Sequence, residues 1–461
     1  MFHGETIKTL KNLRIHQILF YLFLFLLPLQ TRTLFQPNSA YVSWYFNYHL
    51  AFFFYLTDIL LIACFTTWLL FDRPKGLILT KRLFWLILAF FSIILATLFH
   101  PPAMLALVRR AGVTHLDLGW YETAKWFEVL MLMFYVCETF KSKSQYLWAF
   151  WVLFICSTIQ AAIGLVQFHV QHSLGLGFLG EYIAPLGTSG LATIETASSK
   201  IIRAYGTFSH PNILGAFLVL GLILGLYLLY RASVSCLPAK ATIVATAGGT
   251  ILVLLGIFVT FSRVAWVSAF AVCLLFAVYY LLKKQKTAFI ILCLIAVVSC
   301  GTILGLFSQT LKARVLDTGS TAITNRYFFN TLGLDLTQRF PVLGVGVGNY
   351  VEALNDLYKL EPWQTQPAHN IFIFVSTELG ILGVILFIMI LFEVFSRLKN
   401  VAWNELTFTL AVLGIIFLMM SQFDHYFVTI QQGRLMFFTV LGLIAALPNI
   451  NIEKDDNKKS D

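Results

Sequence analysis

Three short segments of this 461-residue chain carry residue types able to handle a charged leaving group and a proton. The first runs from Arg203 to Gly215 and holds Arg203, His210, Pro211 and Asn212. The second is Thr260 to Arg263, and the third is the pair His369 and Asn370, directly before an apolar run that opens at Ile371. Two fixed guanidiniums suit a pyrophosphate, because each is planar, permanently charged and able to donate two parallel hydrogen bonds. A histidine beside them could take the proton from an attacking hydroxyl. Each segment also has a plainer reading. Pro211 suits the first turn of a helix that Ser209 or His210 could cap. An arginine at a membrane surface can snorkel to lipid phosphate, and a single histidine at a helix end is more often structural than catalytic. The functional reading gains weight only if all three segments face the same side.

That depends on the elements that position them. The chain is 59% hydrophobic and only 12% charged, against about 25% charged in ordinary soluble domains. Apolar runs of roughly 17 to 25 residues recur throughout, each able to cross a ~30 Å hydrocarbon core as a helix. The expected class is an all-α polytopic membrane protein, which excludes a soluble nucleic-acid binder despite the net charge of +10. The first run, Ile15 to Leu29, follows Lys8, Lys11 and Arg14 like a signal peptide, but no small-residue cleavage site follows it. It is expected to be a retained span. The seven cysteines have no metal-ligand spacing, and none lies in the long loops, so neither a zinc site nor a disulfide framework is expected.

Twelve spans are expected, near 15–30, 50–71, 83–99, 120–138, 146–168, 209–230, 241–260, 264–282, 287–307, 371–396, 403–422 and 435–447. Residues 1–307 then hold spans one to nine, 308–370 a long extracytoplasmic loop before the tenth span, 371–447 spans ten to twelve, and 448–461 a charged, disordered tail on the cytoplasmic side. Lys and Arg gather in the short loops on the N-terminal side, such as Arg73, Lys75, Lys81 and Arg82, or Lys283, Lys284 and Lys286. The positive-inside rule therefore puts both termini inside. The long segments 31–49, 169–205 and 308–370 are outside, and Arg203, Arg263 and His369 share that outer face. Within the third segment, 323–340 is apolar enough to lie as a helix on the membrane surface, and Arg326 and Arg339 fall in it. Gly344, Gly346 and Gly348 look like a dinucleotide fingerprint, but no strand–helix unit surrounds them, so a turn or a close backbone approach to a ligand is expected. Lys125 and Glu128 stand one helical turn apart, and with Asp58 and Glu378 are intramembrane charges of structural or cavity-lining character. Gly221 and Gly225 have helix-packing spacing. No pair of outer-loop acids has the spacing of a metal-dependent sugar transferase.

One order of motifs carries a resemblance: Arg-x-x-Gly-Thr-Phe-x-His-Pro-Asn-x-x-Gly from Arg203, Thr-x-Ser-Arg from Thr260, Pro-x-x-Gly-x-Gly-x-Gly-Asn from Pro341, and His-Asn followed by Glu-x-Gly from His369 to Gly380. Over roughly Arg203 to Gly383 the chain resembles the O-antigen ligase/Wzy polymerase family, which includes the protein O-oligosaccharyltransferases. The resemblance implies a membrane-embedded, metal-independent glycosyltransferase of the GT-C type with no cofactor. The donor would be a glycan on undecaprenyl pyrophosphate, used at the outer side of the bacterial cytoplasmic membrane. It implies Arg203, Arg263 and His369 as catalytic residues, and His210, Asn212, Arg326, Arg339 and Asn370 as substrate-binding ones. Members of the family differ in acceptor, which is a lipid A core, a growing glycan, a protein or a wall polymer. The ligase-like reaction is the expectation, with a polymerase of the same family as the alternative. From another class, a flippase or transporter of lipid-linked glycan would place its charges near the bilayer midplane and often shows internal repeats. Here the charges gather at one face and no repeat is visible.

Overall fold

The computed structural model describes residues 13–35, 40–42, 44–72, 81–99, 109–110, 113–181, 185–188, 190–195, 200–234, 240–316 and 321–450. Expectations for Lys8, Lys11, Arg73, Lys75, Cys236 and the tail beyond Ile450 lie outside the described residues.

The helices, in chain order, are α1 (Ile15–Leu26), α2 (Leu56–Phe71), α3 (Lys81–Phe99), α4 (His115–Thr139), α5 (Lys143–Val170), α6 (Pro211–Val234), α7 (Lys240–Val259), α8 (Arg263–Leu282), α9 (Lys286–Leu316), α10 (Thr321–Arg339), α11 (Tyr350–Leu357), α12 (Ile371–Ser396), α13 (Glu405–Met420), α14 (Tyr426–Thr429) and α15 (Gln431–Ala446). Seven of the described helices are long and apolar enough to cross a membrane, and three shorter apolar ones accompany them. The protein is an all-α polytopic membrane protein, decorated among the described residues by four two-stranded antiparallel ladders.

Local sequence explains the helix starts. Ser142 and Gln145 form a capping box at α5, with Ser142 Oγ accepting from Gln145 N at 3.4 Å. Asn404 Oδ1 accepts from Leu406 N and Thr407 N, each at 3.0 Å, at α13. The second apolar run behaves differently from its hydropathy. Its first part, Phe52–Tyr55, is a strand paired with Arg32–Phe35, and the helix begins only at Leu56. Four consecutive aromatic residues fit a pleated ladder better than a helix.

The core is built around α6. Its apolar length is buried throughout and packs against α5, α7, α8 and α13, as expected of a helix that is hydrophobic all round. Gly221 and Gly225 lie where α6 meets Ser157 and Phe154 of α5, so the small-residue spacing does mark a close approach. Around this centre, α15 packs on α4, and α12 on α3 and α10.

Two interruptions shape one end of the bundle. The ninth helix passes a non-helical residue at Phe307 and continues to Leu316, so the segment expected as loop from Ser308 is still helical for several turns. In α12, Gly380 adopts φ 68° and ψ −171°, a conformation that only glycine takes readily. The loop of Gly344, Gly346 and Gly348 packs into this break, with Val345 N donating to Thr377 O at 2.8 Å and Gly346 N to Glu378 O at 3.0 Å. A Cβ at Gly344 would meet Thr377 O at 2.4 Å. These glycines let backbone pack on backbone, and the ligand they serve is the broken helix itself.

Candidate active site

The site lies where α6, α8 and α12 begin and α13 ends, since the residues before those starts and after that end are Arg203–His210, Ser262, His369–Asn370 and Asp424–His425. The Arg203 loop is set by two glutamines of α5. Gln160 Oε1 accepts from Thr207 N at 3.0 Å, and Gln167 accepts from Gly206 N at 2.7 Å while donating to Gly206 O at 2.8 Å. Thr207 Oγ1 donates to Pro28 O at 2.8 Å, and Ala204 N to Val259 O at 3.0 Å. Held so, Arg203 is 7% exposed and donates from Nε to Thr260 O at 2.6 Å and from Nη2 to Asn212 Oδ1 at 2.8 Å. His210, the residue before Pro211, uses Nδ1 to accept from Asn212 N at 3.1 Å, which is the cap expected there.

From Asn212 the contacts run directly to the histidine. Asn212 Nδ2 donates to Asp424 Oδ2 at 3.0 Å, and Asp424 Oδ1 lies 3.4 Å from His369 Nδ1. The latter is an ion-pair distance whose alignment falls short of a hydrogen bond. His425 N donates to Asp424 Oδ1 at 2.9 Å, and His425 Nδ1 meets Thr429 Oγ1 at 2.7 Å. The His425 ring stands 5.1 Å from that of His369 and 5.4 Å from that of His49. Phe329 of α10 covers His369 from another side, at 5.5 Å between rings.

Charge is concentrated on the Arg203 side. Arg263 Nη2 donates to Arg314 O at 3.1 Å, and Arg314 Nε donates to Phe261 O at 3.2 Å. Arg314 and Arg326 both press their charge on Arg203. Burial first, then Arg314, pushes the Arg203 guanidinium down to about 9, still a cation at neutral pH. Burial also pushes His210 and His425 down to about 3, so both are neutral imidazoles at pH 7. Burial acts upward on Asp424, but His369, then His425 and His210, outweigh it and hold the carboxyl far below its ordinary range.

Of the residues singled out in the sequence, Arg203, Arg263, His210, Asn212, Arg326 and His369 come together. Asn370 is spent on structure: its Oδ1 caps α12 at Phe372 N (2.9 Å) and Ile373 N (3.3 Å), and its Nδ2 reaches Gln422 Oε1 at 3.1 Å. Arg339 is exposed, with Nε 2.8 Å from Asp335 Oδ2 and its guanidinium over Tyr358. Five participants went unmarked in the sequence: Asp424, His425, Arg314, Gln160 and Gln167. An Asp-His pair in the short polar interval after α13 was a usable signal, as were two glutamines seven apart on one face of an apolar helix.

His369, Asp424 and His425 each offer a ligand atom within 4.8 Å of the others, so this trio is the one group among the described residues able to hold a metal ion. Two of the three are already hydrogen-bonded within the protein, Asp424 to Asn212 and to the His425 backbone and His425 to Thr429, while His369 Nδ1 stands 3.4 Å from the Asp424 carboxylate.

Residues 248–388 match the family model described as O-Antigen ligase. Over this stretch, less than half of its length, the chain is similar to the O-antigen ligase/Wzy family. The matched stretch contains Arg263, the glycine loop, Arg314, Arg326 and His369, while Arg203, Asp424 and His425 lie outside it and join the site through the contacts above. Among curated proteins, none matches the chain.

Proposed function

We propose that the protein is a member of this family and transfers a glycan from undecaprenyl pyrophosphate to an acceptor hydroxyl, ligase-like, at the outer face of the bacterial cytoplasmic membrane. The observation that carries the reading is the run Arg203–Asn212–Asp424–His369, hydrogen-bonded as far as Asp424 and closed by its 3.4 Å approach to His369, which ties a cation cluster to a histidine beside a carboxylate. In the reaction the acceptor oxygen attacks the anomeric carbon, and the electrons of the breaking C–O bond pass to the pyrophosphate. Arg203 and Arg263, with Arg314 beside them, face that growing negative charge; preorganised donors of this kind contribute about 3–4 kcal/mol each. His369 takes the hydroxyl proton, and the Asp424 carboxylate orients the ring and stabilises the imidazolium that forms. The GT-C architecture, the lateral entry of the polyprenyl chain and the outer location belong to this same reading. So does metal independence, which the prior engagement of Asp424 and His425 supports.

The test is transfer by the purified protein in lipid nanodiscs, with a lipid-pyrophosphate-linked glycan as donor, in the presence and absence of EDTA. The reading expects transfer at the same rate in both. Loss of transfer with EDTA and its return with a divalent cation would make the His369, Asp424 and His425 trio a metal site. Movement of intact lipid-linked glycan across the bilayer without transfer would make the protein a flippase. Glycan of normal length left on the carrier in a gene deletion marks a ligase, and single repeat units mark a polymerase.

A further inference from the structure

The donor half of the site is anchored on Arg203, and the imidazoles lead away from it. From His369 the ring sequence continues to His425 and ends on His49, in steps of 5.1 and 5.4 Å. His49 comes from the segment between α1 and α2, more than three hundred residues from His369 in the chain. Its placement is built. Asn47 Oδ1 accepts from His49 N at 3.0 Å, while Asn47 Nδ2 donates to Thr365 O at 2.7 Å and to Thr365 Oγ1 at 3.2 Å. That latch is buried and joins the His49 segment to the loop that leads into His369. Yet the half-buried His49 imidazole itself has no hydrogen-bond partner among the described residues. Beside the latch, Trp44 and Trp363 meet at 6.3 Å between rings, and they are 65% and 44% exposed.

We infer that His49, with Trp44 and Trp363, forms the subsite for the sugar of a glycan acceptor, His49 bonding a second hydroxyl of the residue whose attacking hydroxyl meets His369. The inference rests on the reading in which His369 activates the acceptor. Three features favour a saccharide. His49 lies at the end of the run opposite Arg203, away from the pyrophosphate. A single-hydroxyl acceptor would use His369 alone, whereas a sugar ring presents hydroxyls on opposite edges to two imidazoles. Exposed tryptophan faces beside a polar group are the lining that an amphipathic ring requires.

The experiment uses the full chain in nanodiscs with the lipid-linked glycan as donor. Lipid A core, or a second molecule of the lipid-linked glycan, serves as acceptor, according to which supports transfer. His49→Ala should raise the acceptor KM roughly five- to tenfold, the worth of one neutral hydrogen bond, with donor KM unchanged and kcat within a few-fold. His49→Asn, which restores a donor and an acceptor atom, should recover most of that loss. The double variant W44A/W363A should raise the acceptor KM as well, at unchanged thermal stability, because both rings are exposed; it decides the matter if His49→Ala folds poorly. An unchanged acceptor KM in both variants overturns the inference, as does a rise in donor KM equal to that for the acceptor. His369→Ala run in parallel separates the two levels: if it transfers normally, the underlying reading fails, and if it is dead while His49→Ala is normal, only the subsite fails.

Discussion

Two buried cations in this molecule are held in opposite ways. Lys125 of α4 sits 2.6 Å from Asp58 Oδ2 and 3.5 Å from Glu128 Oε2, and Gln431 Nε2 donates to Asp58 Oδ1 at 2.6 Å and to both Glu128 oxygens at 3.3 Å. Its charge is neutralised where it stands, and its partners tie α2, α4 and α15 together. Arg203 instead donates to a carbonyl and to an amide oxygen, with Arg314 and Arg326 adding charge of the same sign. Dipoles fix its direction, and the Asp424 carboxylate acts on it at one remove, through Asn212, and not as a paired partner. A cation met by carboxylates holds a fold; one held by dipoles beside other guanidiniums is poised to meet an anion that arrives from outside.

Substitutions at the two places should separate these roles. The largest effect is expected from Arg203→Lys, which keeps the charge and loses the planar fork. Transfer should fall about 10²–10³-fold with the folded fraction intact, and near-wild-type turnover would reduce Arg203 to a structural clasp. Asp424→Asn comes next. It preserves the hydrogen bond with Asn212 in shape while removing the charge beside His369, so kcat should fall on the order of 10²-fold with donor KM little changed. The opposite signature belongs to Lys125→Met. Breaking a buried ion pair from one side costs roughly 3–5 kcal/mol, so thermal stability should drop sharply while turnover per folded molecule stays within a few-fold. A selective loss of turnover there would erase the distinction between the two cations.

The smallest effect is in pH. His210 and His425, at about 3 in the folded protein against an ordinary 6.5, refuse protons that the unfolded chain binds. Their contribution to stability is therefore present above pH 6.5 and is lost progressively as the pH falls, and the depressed carboxyl of Asp424 adds to the loss at lower pH. Unfolding measured against pH should show this slope, and His425→Gln should flatten it by roughly one proton. An unaltered slope would mean that His425 is not buried as a neutral ring.

Parts of the candidate site are legible in the sequence from the position of helix ends. His369, Arg203 and Arg263 each border an apolar run, and hydropathy alone places them at one end of the bundle. Arg314 escaped because hydropathy marks where apolarity stops, whereas α9 runs on to Leu316 and carries the arginine back beside Phe261. Asp424 and His425 leave no mark in hydropathy, because a short polar interval between two apolar runs has the pattern of a plain connection. Residues 50–55 went wrong for a related reason: an aromatic run scores as a span whether it is a helix or a strand. The Asn47–Thr365 latch could not have been read at all, since it joins positions 318 residues apart through one amide. Local pattern gives helices and their ends; which ends meet is decided by packing around α6.

The most direct measurement is on His369: donor binding and transfer determined side by side for His369→Ala and His369→Gln in the same nanodiscs. Glutamine keeps a hydrogen-bonding group of similar reach but takes up no proton at neutral pH. Both variants should bind the lipid-pyrophosphate glycan as the wild type does, because Arg203 and Arg263 hold it, and both should lose transfer by about 10²–10⁴-fold. A glutamine variant with near-normal turnover would contradict the proton-acceptor role, and loss of donor binding together with thermal stability would make His369 a packing residue at the start of α12.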